Sequence, residues 1–143
     1  MKPIFLALFI VFSFKIFAQS PVGVWKTIDD KTGEAKSEVT ISDYNGKLFG
    51  KVTKLLRKNA DVNRRCKDCK GAKKDQLVLG MNVVEGMWKE GDQWVGGTIT
   101  DPENGKEYGC KIKFKNGDSN QLEVRGFLGI SLLGRTQTWY RVK

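Results

Sequence analysis

Histidine is absent from this 143-residue chain. That removes the Ser-His-Asp and Cys-His nucleophilic systems and, with them, the commonest metal ligand. Acyl hydrolases and zinc hydrolases of the usual kind are therefore poor readings. Long apolar runs are missing after residue 18; none reaches the ~20 residues a helix needs to cross a bilayer. No glycine-rich phosphate loop precedes a helix, and no dinucleotide-binding fingerprint appears. No segment carries a convincing 3.6-residue apolar period, so amphipathic helices are not expected. Carboxylates are in the minority, 16 against 25 Lys and Arg, and none announces a catalytic pair. Asp101 stands before Pro102 and is expected to cap its own turn through an Asx bond. Asp61 and Asn63 are too few for a calcium site. Neither a metal nor a cofactor is expected, and no catalytic residue is assigned.

What is present begins with the first residues. Lys2 precedes the apolar run Ile4 to Phe14, and Lys15-Ile16-Phe17-Ala18 follows. A basic start, a short apolar core and a small residue at the end describe a secretory signal peptide. Residues 1–18 are expected to be removed after Ala18, leaving residues 19–143 as one exported domain, periplasmic or extracellular. The run is too short for an uncleaved anchor, and no cysteine lies near the cut to carry a lipid. Once the signal is gone, the chain is not expected to span a membrane.

The remainder reads as strands and turns. Tyr108, Cys110, Ile112 and Phe114 alternate with Lys106, Lys111, Lys113 and Lys115, apart from Gly109, a period of two with one apolar and one basic face. Asp101-Pro102-Glu103-Asn104-Gly105 before it and Lys115-Asn116-Gly117-Asp118 after it are turn sequences. Tyr44-Asn45-Gly46-Lys47 is a strong hairpin signal, because Asn-Gly suits the primed turns. Strand-like segments follow at Gly23–Ile28, Ser37–Ser42, Leu48–Thr53, Asn82–Trp88, Trp94–Thr100, Tyr108–Phe114, Leu122–Gly126 and Thr136–Tyr140, eight in all. Short, evenly spaced and hairpin-linked, they predict an all-β fold, an antiparallel up-and-down eight-stranded barrel. Such a barrel either fills with side chains or holds one small ligand. Residues 57–77 break the pattern as a long polar loop, a length that is usually functional or mobile.

The first and last strands of a closed meander are neighbours. Gly23-x-Trp25 opens the first, and Arg141 ends the last. Their meeting would place a guanidinium over an indole as a cation–π lid on the barrel floor. This arrangement resembles the lipocalin-like superfamily. A ligand inside would meet residues among Trp94, Tyr108, Cys110, Ile112, Leu122, Val124 and Tyr140, with the inward parity left open.

Cys66-Lys67-Asp68-Cys69 is the one chemical motif. A thioredoxin-like pair needs a βαβ context that is missing. A zinc site needs four ligands, and only Cys110 with an aspartate would complete it. In an exported chain the structural disulfide leads, because the compartment is oxidising. Cys66 with Cys69, or either with Cys110, are the candidate pairings, and free thiols remain the alternative.

Net charge is +9, and Lys2 and Lys15 of the expected signal supply two of the positive charges. Residues 51–74 hold ten basic side chains against Asp61 and Asp68, so this segment alone carries +8 and the rest of the exported chain is near neutral. A solvated loop is the plainer explanation. The functional one is a patch for anionic envelope lipid or polysaccharide. Nucleic acid is not expected, since no aromatic residue is interleaved in the segment to stack on bases.

Several of these residues also carry a family resemblance. Asp61-x-Asn63, Gly80, the run Trp94-x-Gly96-Gly97-x-Ile99-x-Asp101-Pro102-x-Asn104-Gly105-Lys106-x-Tyr108, and Val124-Arg125-Gly126-Phe127-x-Gly129 through Leu133-Gly134-Arg135-Thr136-Gln137-Thr138-Trp139 resemble the bacterial family called domain of unknown function 2147. The likeness covers roughly residues 22–142, and the Cys66–Cys69 motif followed by Lys70-Gly71 looks like its Bacteroidetes-type members. It implies an exported protein with a lipocalin-like barrel. It implies no particular activity and brings no catalytic residues to carry over. The expectation is an exported binding protein for a small apolar or amphipathic molecule, monomeric or weakly dimeric. The alternative is an adaptor docking anionic envelope material through residues 51–74.

Overall fold

Eight strands close into one antiparallel barrel in chain order: β1 (Gly23–Ile28), β2 (Ala35–Tyr44), β3 (Lys47–Leu55), β4 (Asn82–Glu90), β5 (Gln93–Thr100), β6 (Glu107–Lys115), β7 (Asp118–Phe127) and β8 (Gly134–Arg141). The computed structural model describes residues 1, 13, 18–129 and 133–142. Apart from Met1, Ser13 and Ala18, the expected signal peptide lies outside the described residues.

Turn chemistry sorts the connections into two ends. Asn45-Gly46 links β2 to β3, and Asn116-Gly117 links β6 to β7; all four residues have φ between 51° and 80°. Positive φ at both central positions is the type I′ turn, whose twist matches that of the strands it joins. Gly91-Asp92 links β4 to β5 just as tightly. These three hairpins lie at one end with the entry to β1. The connections β1–β2, β3–β4, β5–β6 and β7–β8 lie at the other end, and all are longer.

The tight end is packed solid. Period-two alternation points Trp25, Ile41, Leu48, Met87, Trp94, Ile112 and Leu122 into it, and all are buried. Phe114 meets Trp94 edge to face, with ring centroids 5.8 Å apart. Closure is narrowest where β8 returns to β1, at Trp25 opposite Arg141 and Lys26 opposite Tyr140.

The long connection after β3 is folded. Arg65 and Leu77 form an isolated bridge, the Cys66 amide donates to the Gln76 carbonyl at 2.9 Å, and the Val78 amide donates to the Arg64 carbonyl at 3.0 Å. A short 3-10 turn spans Gly71–Lys73. Val78-Leu79-Gly80-Met81, expected as a short helical or extended return, is a turn tied to β3. Its Gly80 amide donates to the Val52 carbonyl at 2.7 Å. The loop also leans on the β5–β6 turn at Gly105, where φ is +71° and a Cβ would run into the Asp68–Cys69 peptide. Glycine is therefore required there twice over, by the backbone angle and by the contact.

Candidate functional site

The long-loop end of the barrel is hollow. A cavity of about 340 Å3 opens there. Its wall is built of short aliphatic side chains, Val39, Val52, Val83, Ile99 and Val124, with Trp139 standing among them. The aliphatic ones come from β2, β3, β4, β5 and β7, at the positions nearer the open end, while Trp139 on β8 stands opposite Leu122. Valine and isoleucine suit strands through their branched Cβ. They are also too short to meet across the barrel, so the same residues that form the wall leave the space.

Several of the polar groups that line the cavity already satisfy one another. The Thr27 and Ser37 hydroxyls lie 2.8 Å apart. Gln137 donates to Asp30 at 3.0 Å and accepts from the Trp139 indole at 3.3 Å. Among the described residues no buried side-chain nitrogen or oxygen lacks a partner. A bound molecule would therefore be held in the cavity mainly by apolar contact and shape.

Charges bind the loops across the mouth. Arg57 pairs with Asp29 of the β1–β2 connection and, at 2.6 Å, with Glu103 of the β5–β6 turn. Lys36 joins Glu103 at 3.2 Å. Arg135 and Asp30 pair at 3.1 Å. Amide hydrogen bonds from Lys31 and Thr32, followed by Arg57 and Lys36, outweigh desolvation and hold the Asp29 carboxyl below its ordinary value. Burial raises Glu103, but the Lys36 and Arg57 charges outweigh it and bring that carboxyl down as well. Deeper in the loop, Lys73 reaches Glu85 at 2.5 Å and the Thr100 hydroxyl at 2.9 Å.

The expected lining residues divide between the two halves. Tyr108 and Val124 line the cavity. Trp94, Ile112 and Leu122 are buried in the packed half, where large side chains leave no room. Tyr140 does not face inward at all: it is 40% exposed, because its neighbour Trp139 takes the inward position. Trp25 is fully buried under Arg141, whose guanidinium lies 4.3 Å from the indole centroid. Arg141 also donates to the carbonyls of Ser119, Val22 and Ser20 at 2.9, 3.0 and 2.9 Å, while the Trp25 indole donates to the Pro21 carbonyl at 2.7 Å.

A disulfide joins Cys66 to Cys69. Both sulfurs are thereby committed, so a dithiol or thiolate-metal site does not form there. Cys110 takes no part in a disulfide, although it was a candidate for one. It is a buried thiol on β6 inside the barrel, and burial pushes it up to about 12. The basic segment is less free than its composition suggests: Arg57, Lys67 and Lys73 all have carboxylate partners.

Sequence reasoning missed the rim of Thr27, Ser37 and Gln137 and the Arg57 strap. The rim residues had one signal, their even spacing from inward apolar positions such as Trp25, Val39 and Trp139. The strap had none, because its partners lie far apart in the chain.

No curated protein matches this chain. Among solved structures, "Protein HP1028 from the human pathogen Helicobacter pylori belongs to the lipocalin family" is similar in fold, with a TM-score of 0.73 and 19% identity over 87% of this chain and 84% of that one. The barrel is lipocalin-like. At the level of sequence, the family profile described as "Uncharacterized protein conserved in bacteria (DUF2147)" matches residues 23–141, and the chain belongs to that family.

Proposed function

We propose that this protein is exported and binds one small apolar or amphipathic molecule in the open half of its barrel, without transforming it. The cavity carries this reading: about 340 Å3, walled by aliphatic side chains and rimmed by polar ones. Binding sites for small molecules have this character, concave and mostly apolar with a few polar groups, at volumes of roughly 300–1,000 Å3. The size falls at the low end of that range, which favours a ligand of modest bulk. Export is supported by Lys2, the apolar run to Phe14 and Ala18, and by the Cys66–Cys69 disulfide, which suits an oxidising compartment.

Native mass spectrometry of protein recovered from its own envelope tests the reading directly. The expected result is extra mass that disappears on denaturation, and its value would identify the class of molecule. Val124→Phe, which fills the cavity from β7, should abolish that extra mass. A bare polypeptide mass, together with no response of tryptophan fluorescence to apolar probes, would overturn the proposal.

A further inference from the structure

A side pocket of about 170 Å3 adjoins the mouth of the barrel cavity. The two spaces share Lys36, Ser37, Val52 and Pro102 in their walls and are therefore adjacent. Val52, Leu55, Val78 and Pro102 give the pocket apolar surface. The connection after β3 contributes Arg57, Lys58, Asp61 and Arg64.

These charges are not equally committed. Arg57 is held by Asp29 and Glu103, and Lys36 by Glu103. One Asp61 oxygen accepts the Asn63 amide at 2.9 Å. Lys58 and Arg64 have no ion pair and no side-chain hydrogen bond among the described residues. Two uncommitted cations beside apolar surface select one kind of ligand. A neutral molecule gains less from them than an anion does, and a cation is repelled. An anionic group gains charge-assisted hydrogen bonds, and arginine matches the two oxygens of a carboxylate or phosphate.

We infer that the side pocket holds the anionic head of a single-chain amphiphile, bound by Lys58 and Arg64, while its apolar chain lies in the barrel cavity. This rests on the binding function proposed above and narrows it from any small apolar molecule to an acyl- or alkyl-chain anion. Carboxylate and phosphate heads share the chemistry.

Calorimetry with decanoate and decyl phosphate below their micellar concentrations, and with 1-decanol below its solubility limit, separates head from chain. The protein stripped of bound ligand should bind at least one of the two anions about tenfold or more tightly than 1-decanol, the value of a charge-assisted hydrogen bond. Whichever anion binds more tightly identifies the head. In Lys58→Gln/Arg64→Gln, that preference should vanish while 1-decanol affinity stays unchanged. Equal affinity for all three probes, or a preference that survives the double substitution, would overturn the inference and leave cavity binding intact. If none of the three binds, the cavity reading falls with it.

Discussion

The two ends of this barrel are built from one alternating pattern and reach opposite results. At the tight end the inward positions carry Trp25, Trp94, Met87, Ile112 and Leu122, and the hairpins are two residues long. At the open end the inward positions carry mostly valine, isoleucine, threonine and serine beside Tyr108 and Trp139, and the connections are long. The tight end is bound by van der Waals packing and one guanidinium lid. The open end is bound by ion pairs between loops. Solid packing and open space thus fall to different halves of the same strands. The difference comes from side-chain volume, since the backbone register runs continuously from one half to the other.

Neighbouring inward positions on β7 test that division most severely. Leu122 sits in the packed half and Val124 faces the cavity. Leu122→Ala leaves a void among atoms that cannot close it and should cost about 2–5 kcal/mol in urea unfolding. Val124→Ala removes groups that already border empty space, so only the transfer term remains, roughly 1 kcal/mol. Probe binding should respond in the opposite order, with Val124→Ala changing affinity and Leu122→Ala leaving it near wild type. Equal costs at the two positions would show that the cavity collapses in solution.

The lid is the next largest expected effect. Arg141→Ala exposes the Trp25 ring and frees the carbonyls of Ser20, Val22 and Ser119. Loss of the cation–π contact and of the hydrogen bonds from a charged group should cost about 2–3 kcal/mol. Arg141→Lys keeps the charge but not the planar fork, and should recover less than half of the loss. Full recovery by lysine would reduce the lid to a point charge. Both variants should bind decanol like wild type, because the lid is at the far end from the cavity.

The sequence disclosed the fold more fully than the site, for a physical reason. Strands and hairpins are local: Asn45-Gly46 and Asn116-Gly117 specify their turns within two residues, and Tyr108 to Phe114 shows its alternation within seven. The Trp25–Arg141 contact was reachable because closure makes the chain ends neighbours. Inward parity on β8 was not, since Trp139 and Tyr140 are both aromatic and either could have faced inward. Nor was the boundary between full and empty halves, which depends on how side chains from six strands meet across the barrel. Residues 51–74 show the same limit. Composition registered ten basic residues there, but only three-dimensional placement separates Arg57, held by two carboxylates, from Lys58 and Arg64, held by none among the described residues.

The strap across the mouth offers the smallest effect and a clear sign. Asp29 and Glu103 both titrate lower in the folded chain than in the unfolded one. The folded state then binds fewer protons in that interval, so stability rises with pH through it. The contribution of the pair is complete above the ordinary carboxylate range of about 4, and it is lost as pH falls through the lower folded values. Arg57→Met removes the shared partner. At pH 7 it should lower the thermal midpoint slightly, as exposed ion pairs contribute little. The gap from wild type should hold to about pH 5 and narrow as pH falls below the ordinary carboxylate range. Comparing the two proteins cancels the titration of every other carboxylate. A gap that does not narrow as the carboxylates are protonated would mean Arg57 acts by packing, and the open end would then be bound in the same way as the tight one.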